Sequence, residues 1–270
     1  MTNQRNQVSP IVLHKSLTLP KSQKKVIIIS LNRPQQLNAF NADVCTLLSQ
    51  ILSSIVHEID RVDYDDSIAA VILTGEGPSF CAGADLANPP DPLKQSSDYH
   101  LMDNPVHWMG RVRVPLIGVV KGYCVTGGFE LALACDILIG DKTTVFKDTH
   151  VTFGFAPCWG LSQRLQRRVG SGRAKLMSFT AMSVKADKAL EWGLLDEMVK
   201  IGGAFERAMD LADEMGVQDG LMVRRYKRAV EEGGRVGLGQ GLERERELGM
   251  AHYLEIVEDG RRFAKAKDFI

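Results

Sequence analysis

Paired glycines join an apolar strand to an apolar helix near the middle of the chain. The strand is predicted over residues 115–123 and the helix over residues 129–135, with Gly127 and Gly128 between them. Glycine lets a backbone approach a ligand closely, and the first N–H groups of a helix have no partner inside the helix. Those groups lie at the positive end of the helix dipole, where a developing oxyanion is stabilised. The turn therefore predicts an anion-binding site between a strand and a helix.

Glu130 stands in the first turn of this predicted helix, and the residues that follow it, 131–135, are apolar. A carboxylate at the edge of a buried helix, beside an anion site, is a candidate acid or base. A second interpretation is structural, with glycines that permit tight packing and a Glu130 that satisfies the helix N-terminus. This segment alone does not separate the two interpretations.

A second predicted strand, residues 68–74, also runs into a turn of small residues, Ser79-Phe-Cys-Ala-Gly-Ala-Asp-Leu86. Two such turns can supply two N–H donors to one oxygen atom, which is the arrangement that thioester enolate chemistry needs. Strands and helices alternate up to about residue 160, which predicts an α/β fold. Asn41 is predicted to cap the first of these helices. The chain beyond that point is predicted to be helical throughout.

The chain resembles the crotonase superfamily, the enoyl-CoA hydratases and isomerases, and its monofunctional hydratases in particular. The resemblance covers roughly residues 25 to 265 and rests on several motifs in the family's order: residues 31–39, 79–86, 115–136, 153–165 and 186–199. It implies a loose lead-in over residues 1–24, a ββα superhelix over 25–200, and a C-terminal helical region over 201–270. In the family, the C-terminal helical region drives the formation of trimers, and the assembly is often a hexamer.

The resemblance also implies an oxyanion hole made of the backbone N–H groups of Ala82 and Gly127. Hydratases of this family hold one water between two glutamates, and Glu130 matches the first of them. His150 occupies the place of the second, which is the main departure from the family pattern. A Glu/His pair is able to share a proton in the same way, because histidine titrates near neutrality.

Asp148 lies two residues before His150 and would share a face with it in an extended segment. Two roles for Asp148 stay open at this point: it orients the imidazole, or it is itself the second carboxylate. A further interpretation makes His150 only a polar residue of the pocket wall.

The resemblance implies that Arg33, in the Asn-Arg-Pro turn, binds the coenzyme A portion of the substrate. It implies the same for Ala84 and Asp85, in the small-residue turn over residues 79–86. Phe263 and Lys265 resemble the family's C-terminal segment that reaches the coenzyme from a neighbouring subunit. No cofactor is expected, because coenzyme A enters as part of the substrate. The irregular segment of residues 87–105, which contains four prolines, is predicted to shape the acyl pocket.

Composition excludes several other classes of function. The 33 basic and 33 acidic residues balance, so no global charge favours nucleic acid or an anionic membrane surface. No apolar run is long enough for a membrane span, and the polar N-terminus lacks the apolar core of a signal peptide. A cytoplasmic location is the default expectation, with a mitochondrial or peroxisomal one left open. Histidines and cysteines show no metal-ligand spacing, and all five cysteines are expected to be reduced core residues.

These observations predict an enoyl-CoA hydratase of fatty acid metabolism that adds water across the 2,3 double bond of an acyl-CoA thioester. One alternative is an enoyl-CoA double-bond isomerase that moves a proton with a single carboxylate. Another is a homologue that binds CoA thioesters without hydratase activity. The residues do not encode the length of the acyl chain.

Overall fold

The structure, a computed structural model, describes residues 10–60, 66–88 and 104–258. It divides into two compact units, Met1–Gly220 and Leu221–Ile270. The strands are β1 Val12–Thr18, β2 Lys25–Leu31, β3 Ile68–Gly75, β4 Leu116–Val120, β5 Tyr123–Val125, β6 Ile137–Asp141, β7 Val145–Lys147, β8 Ser183–Lys185 and β9 Glu197–Val199. The helices are α1 Ala42–Asp60, α2 Pro105–Met109, α3 Gly127–Leu133, α4 His150–Phe153, α5 Leu161–Val169, α6 Ser171–Thr180, α7 Ala186–Glu191, α8 Ala204–Gly216, α9 Gly220–Gly233 and α10 Leu238–Glu258.

A six-stranded sheet with the order β1-β2-β3-β4-β6-β9 forms the centre of the first unit. The first strand is antiparallel to β2, and the remaining neighbours are parallel. β2, β3 and β4 are almost wholly apolar because both faces of this sheet are covered. The predicted α/β fold is confirmed. Residues 12–18, however, form an edge strand where a loose lead-in was predicted, since a short polar strand carries little apolar signal.

The strand predicted over residues 115–123 is in fact two strands, which belong to different sheets. The chain leaves the main sheet after β4, turns at Gly122 with a φ of +54°, and continues as β5. A Cβ atom at Gly122 would lie 2.1 Å from the carbonyl oxygen of Pro78, so only glycine fits. β5 then pairs with β7, which pairs with β8 in a three-stranded sheet. This break directs the glycine turn and α3 away from the main sheet.

Beyond residue 160 the prediction of helix throughout is wrong at two places, because β8 and β9 interrupt the helices. Both are three-residue strands, too short to show an alternating pattern. The predicted cap at Asn41 is confirmed, since its Oδ1 accepts the N–H of Val44 at 3.1 Å at the start of α1.

The first unit ends later than the boundary predicted at residue 200. Ala204, Ala208 and Ala212 of α8 are buried, and together with apolar residues of β2, β3, β4 and β6 they form one of two hydrophobic clusters. Their spacing of four places them on one face of the helix, where small side chains allow a close approach to the sheet. Helix α8 is thus part of the core unit. None of the helices in the described ranges has the length and apolar character that crossing a bilayer requires.

Candidate active site

The two turns of small residues lie in direct contact. Cys81 and Cys124 form an isolated bridge, in which the Cys81 N–H donates to the carbonyl of Tyr123 at 3.0 Å. The Val125 N–H returns a bond of 2.9 Å to the carbonyl of Cys81. A Cβ atom at Gly128 would lie 2.5 Å from that same carbonyl oxygen, so this glycine is required by packing. The predicted meeting of the two turns is confirmed.

Ala82 does not offer the free donor that was predicted for it. Its N–H donates to the carbonyl oxygen of Leu37 at 3.0 Å, in the turn that follows β2. Sequence comparison by motif could not reveal this contact, because Leu37 lies 45 positions away along the chain. The Ala82 N–H is therefore engaged by the protein itself.

Ala84, two residues further along the same turn, has a different hydrogen-bond environment. It forms a parallel bridge with Phe40, whose N–H donates to the carbonyl of Gly83 at 2.9 Å and whose carbonyl accepts the N–H of Asp85 at 2.9 Å. In such a bridge the N–H of the central residue points away from its partner strand. Within the described ranges no group accepts the Ala84 N–H. Ala84 was predicted only as a substrate-binding residue.

Gly127 supplies the second unoccupied N–H. It is the first residue of α3, and the first bond of this helix runs from the N–H of Glu130 to the carbonyl of Thr126 at 2.9 Å. The Gly127 N–H has no acceptor among the residues that the structure describes. A Cβ atom at Gly127 would lie 2.3 Å from Cζ of Phe40, so the Phe40 ring packs directly against this donor.

Glu130 is buried in α3, with 4% of its surface exposed. Its Oε1 accepts the backbone N–H groups of Trp159, at 2.8 Å, and Leu161, at 3.1 Å. Burial raises the pKa of Glu130, and these two hydrogen bonds offset that effect only in part. No pattern in the sequence had indicated these donors; Gly160, whose φ is +105°, turns the chain between them.

His150 and Asp148 form a hydrogen-bonded pair beside Glu130. The distance from His150 Nδ1 to Asp148 Oδ1 is 2.7 Å, and the His150 N–H donates to the same oxygen at 3.1 Å. Because a carboxylate only accepts, we assign the imidazole proton to Nδ1. The segment is not extended as the prediction assumed, since β7 ends at Lys147 and α4 begins at His150. The contact arises from the turn between them.

Asp148 is almost fully buried, yet its pKa is lowered. Burial alone would raise this pKa, but hydrogen bonds from the side chains of His150 and Ser178 outweigh that effect. Ser178 belongs to α6, and nothing in its sequence context had indicated a part in the site. Asp148 is therefore an anion that holds the imidazole by Nδ1.

A gap separates the two candidate catalytic side chains. His150 Nε2 and Glu130 Oε2 are 3.9 Å apart, too far for a direct hydrogen bond. An oxygen atom placed to one side of the line that joins these two atoms, about 2.8 Å from each, would form hydrogen bonds with both, so the pair is spaced for one bridging water molecule or hydroxyl group. Stacked rings of Phe40 and Trp159, with centroids 5.0 Å apart, form an apolar wall close to Glu130 and Gly127.

Arg33 and Asp85 form an ion pair with an Nη2 to Oδ2 distance of 2.8 Å. Arg33 also donates from Nη1 to the carbonyl of Ala39 at 2.5 Å. The hydrogen bond from Arg33 is the largest cause of the lowered pKa of Asp85. The ion pair thus stabilises the turn that contains Ala84. Phe263 and Lys265 lie outside the described residues.

Two further results concern cysteines and metals. Four cysteines are buried, and burial raises the pKa of the Cys81 thiol to about 12. Cys158 is exposed, so its prediction as a core residue is wrong. Among the residues for which the structure gives positions, no group of three His, Cys, Asp or Glu side chains is arranged to hold a metal ion.

Known proteins resemble the chain in sequence and in structure. The family model for enoyl-CoA hydratase/isomerase matches residues 21–260. A relative from Arabidopsis thaliana, named "Probable enoyl-CoA hydratase 1, peroxisomal", is 35% identical over 94% of this chain and 92% of its own length. The short-chain-enoyl-CoA hydratase of Clostridium acetobutylicum is 33% identical over 79% of this chain and 80% of its own. The crystal structure of an enoyl-CoA hydratase from Bacillus anthracis matches with a TM-score of 0.76 at 28% identity, over 93% of this chain and 97% of that one.

The matched region contains all the motifs on which the sequence resemblance rested. It also contains both turns, Glu130 and His150, so the described site lies within the part of the chain that the family shares. The predicted crotonase-like fold is confirmed by the solved structure. The chain belongs to the enoyl-CoA hydratase/isomerase family.

Proposed function

We propose that this protein is an enoyl-CoA hydratase, which adds water across the 2,3 double bond of an acyl-CoA thioester. The observation that carries the proposal is the 3.9 Å separation of Glu130 Oε2 and His150 Nε2, at which one water oxygen can be hydrogen-bonded to both atoms. The N–H groups of Ala84 and Gly127, which have no acceptor among the described residues, lie in the adjoining turns. The named activities of the relatives from Arabidopsis and Clostridium support the same conclusion.

The N–H groups of Ala84 and Gly127 hold the thioester carbonyl oxygen. When water attacks carbon 3, the π electrons of the double bond move toward the carbonyl, whose oxygen becomes an enolate oxygen. Two preorganised N–H donors stabilise that charge where it develops, and the loss of one such donor typically costs about 3 kcal/mol of barrier. Ala84 thus replaces Ala82 in this role.

Glu130 and His150 manage the water and its protons. As the water oxygen bonds to carbon 3, Glu130 takes the proton that the water releases. The second O–H of the water stays intact and donates a hydrogen bond to His150 Nε2, which is an acceptor because Asp148 keeps the other ring nitrogen protonated. Glu130 then returns its proton to carbon 2 as the enolate collapses to the carbonyl. The atoms balance with one water consumed and both side chains restored.

The coenzyme A moiety is proposed to contact the turn of Ala84 and Asp85, which Arg33 braces, with Phe263 and Lys265 reaching it from a neighbouring subunit. The C-terminal unit is proposed to build the trimer or hexamer. Support for assembly comes from apolar side chains that are exposed on α9 and α10 of the single chain, such as Tyr226 at 73% and Leu238 at 80%. Light scattering that finds a stable, fully active monomer would contradict the assembly.

The test of the function is turnover of a short and a long trans-2-enoyl-CoA, with the product identified as the 3-hydroxyacyl-CoA. The same protein is given a 3-enoyl-CoA, because an isomerase would convert it to the 2-enoyl isomer without taking up water. The proposal predicts hydration as the faster reaction. Faster isomerisation, or tight binding without turnover of either substrate, overturns it.

A further inference from the structure

Two threonines stand directly before the helices that carry the candidate catalytic side chains. Thr126 is the N-cap residue of α3, which begins at Gly127 and carries Glu130. Thr149 is the N-cap residue of α4, which begins at His150. Any contact between these threonines therefore links the two halves of the site at their starting points.

Thr126 has a backbone conformation that side chains rarely adopt. Its φ is 50° and its ψ is −109°, close to the first central position of a type II′ turn, where glycine is preferred. A β-branched residue in this region is strained, because its Cβ substituents crowd the neighbouring carbonyl groups. Surrounding contacts must hold such a residue in place.

The contacts that hold Thr126 come from the segment just before His150. Its N–H donates to the carbonyl of Lys147 at 2.9 Å, and its Oγ1 accepts the N–H of Thr149 at 3.0 Å. The two threonine hydroxyl oxygens are hydrogen-bonded to one another at 2.5 Å. Both strands end here, since Val125 and Lys147 are the last paired residues of β5 and β7. The hydroxyl pair continues the pairing of β5 and β7 by one residue, up to the residue that precedes each helix.

The ψ angle of Thr126 sets the plane of the peptide that joins it to Gly127. It thereby aims the Gly127 N–H, for which the described part of the chain provides no acceptor. The carbonyl of Thr126 also accepts the N–H of Glu130 at 2.9 Å, so the same residue fixes the first turn of α3. A relaxation of Thr126 would misdirect the donor and loosen the helix start together.

We propose that the Thr126–Thr149 hydroxyl pair is a latch that holds the Gly127 N–H and the His150 segment in their working arrangement. Both threonines are positioning residues, which act through Gly127 and His150. The expected loss of kcat rests on the proposed hydration. The expected change of the Thr126 backbone rests only on the strained conformation of that residue. Each can be measured separately.

A double-mutant cycle tests the kinetic consequence. The T149V variant removes the hydroxyl at nearly constant volume, and kcat for hydration should fall at least ~10-fold with a smaller change in KM. T149S retains the hydroxyl and should stay within about 2-fold of wild type. Glycine adopts the Thr126 conformation without strain, so T149V should cost less than about 2-fold when added to T126G. T152V, which removes an exposed hydroxyl from the same short helix, is the matched control and should leave kcat unchanged.

Crystal structures of the variants test the latch without any turnover. In T149V the Thr126 backbone should leave the positive-φ region, whereas T126G/T149V should keep the wild-type path at Gly127. Wild-type inactivity toward enoyl-CoA esters would overturn the proposed function, and these structures would still decide the latch. An unmoved Thr126 in T149V, or an equal loss of kcat from T149V in both backgrounds, overturns the latch.

Discussion

The two halves of the site reach the same burial by different means. Glu130 and His150 are 4% and 6% exposed, respectively. Every residue of α3 around Glu130 is buried, so the core itself holds this carboxylate. His150 instead begins a four-residue helix whose Val151 and Phe153 are about half exposed, and it is held by Asp148 and by the Thr126–Thr149 pair.

This difference indicates which half depends on packing and which depends on polar contacts. Apolar packing is spread over many atoms and tolerates the loss of one group, whereas a short hydrogen-bonded chain has few substitutes for each member. We therefore expect the Glu130 half to respond mainly to removal of the carboxylate itself. The His150 half should respond to changes at residues that never touch the substrate.

The largest effect is expected from E130Q, which keeps the size of the side chain and an oxygen for the Trp159 and Leu161 N–H groups but removes the base. Hydration should fall at least ~100-fold in kcat, with KM changed much less. Steady-state kinetics on a short enoyl-CoA measure this. E206Q, at an exposed position of α8, is the matched control. Turnover near the wild-type rate in E130Q would remove Glu130 from the mechanism.

A smaller loss of kcat is expected from H150E, which restores the two-glutamate pattern of the family. This variant tests whether the Asp148–His150 unit is needed. Here the new carboxylate would face Asp148, which now lies 2.7 Å from the imidazole, with Glu130 close by. Like charges at this distance disfavour ionisation, so H150E should lose at least ~10-fold in kcat. D148N/H150E should recover part of that loss, because an amide can donate to the new carboxylate. Wild-type activity in H150E alone would show that the Asp148–His150 unit is dispensable.

A loss of a few fold is expected from S178A. Ser178 donates to Asp148 and helps to keep the pKa of that carboxyl low, although burial acts in the opposite direction. Without this bond the pKa of Asp148 rises, and its hold on the imidazole weakens as the pH falls. The kcat of S178A relative to wild type should therefore decline toward acidic pH. A constant ratio across the pH range would limit Ser178 to a structural role.

The smallest effect concerns stability and follows from the raised pKa of Glu130, caused first by burial. A raised folded-state pKa means that the favourable contribution of this group is present below its unfolded pKa, about 4.3, and is lost as the pH rises through the folded value. E130Q does not ionise, so it should melt at a higher temperature than wild type at neutral pH. The difference should vanish below pH ~4.3. A difference that is independent of pH would contradict burial as the cause.

Local patterns in the sequence determined much of this protein. Apolar runs, glycine pairs and helical spacing predicted the main strands, α1 and the meeting of the two turns. Together with the family motifs they led to Glu130, Gly127, His150 and Asp148. Each strand, helix and turn leaves a local signal because it depends on residues within one or two turns of each other.

Only the tertiary structure decided which groups of the site are free and which are engaged. Ala82 is engaged because Leu37, far away in sequence, accepts its N–H, whereas Ala84, which pairs with Phe40, keeps an N–H without an acceptor among the residues that the structure describes. The donors to Glu130 from Trp159 and Leu161, and the support of Asp148 by Ser178, likewise join distant segments. A hydrogen bond between remote segments imposes no periodicity on either of them. Such a bond therefore cannot be predicted from the sequence pattern and is seen only in the folded structure.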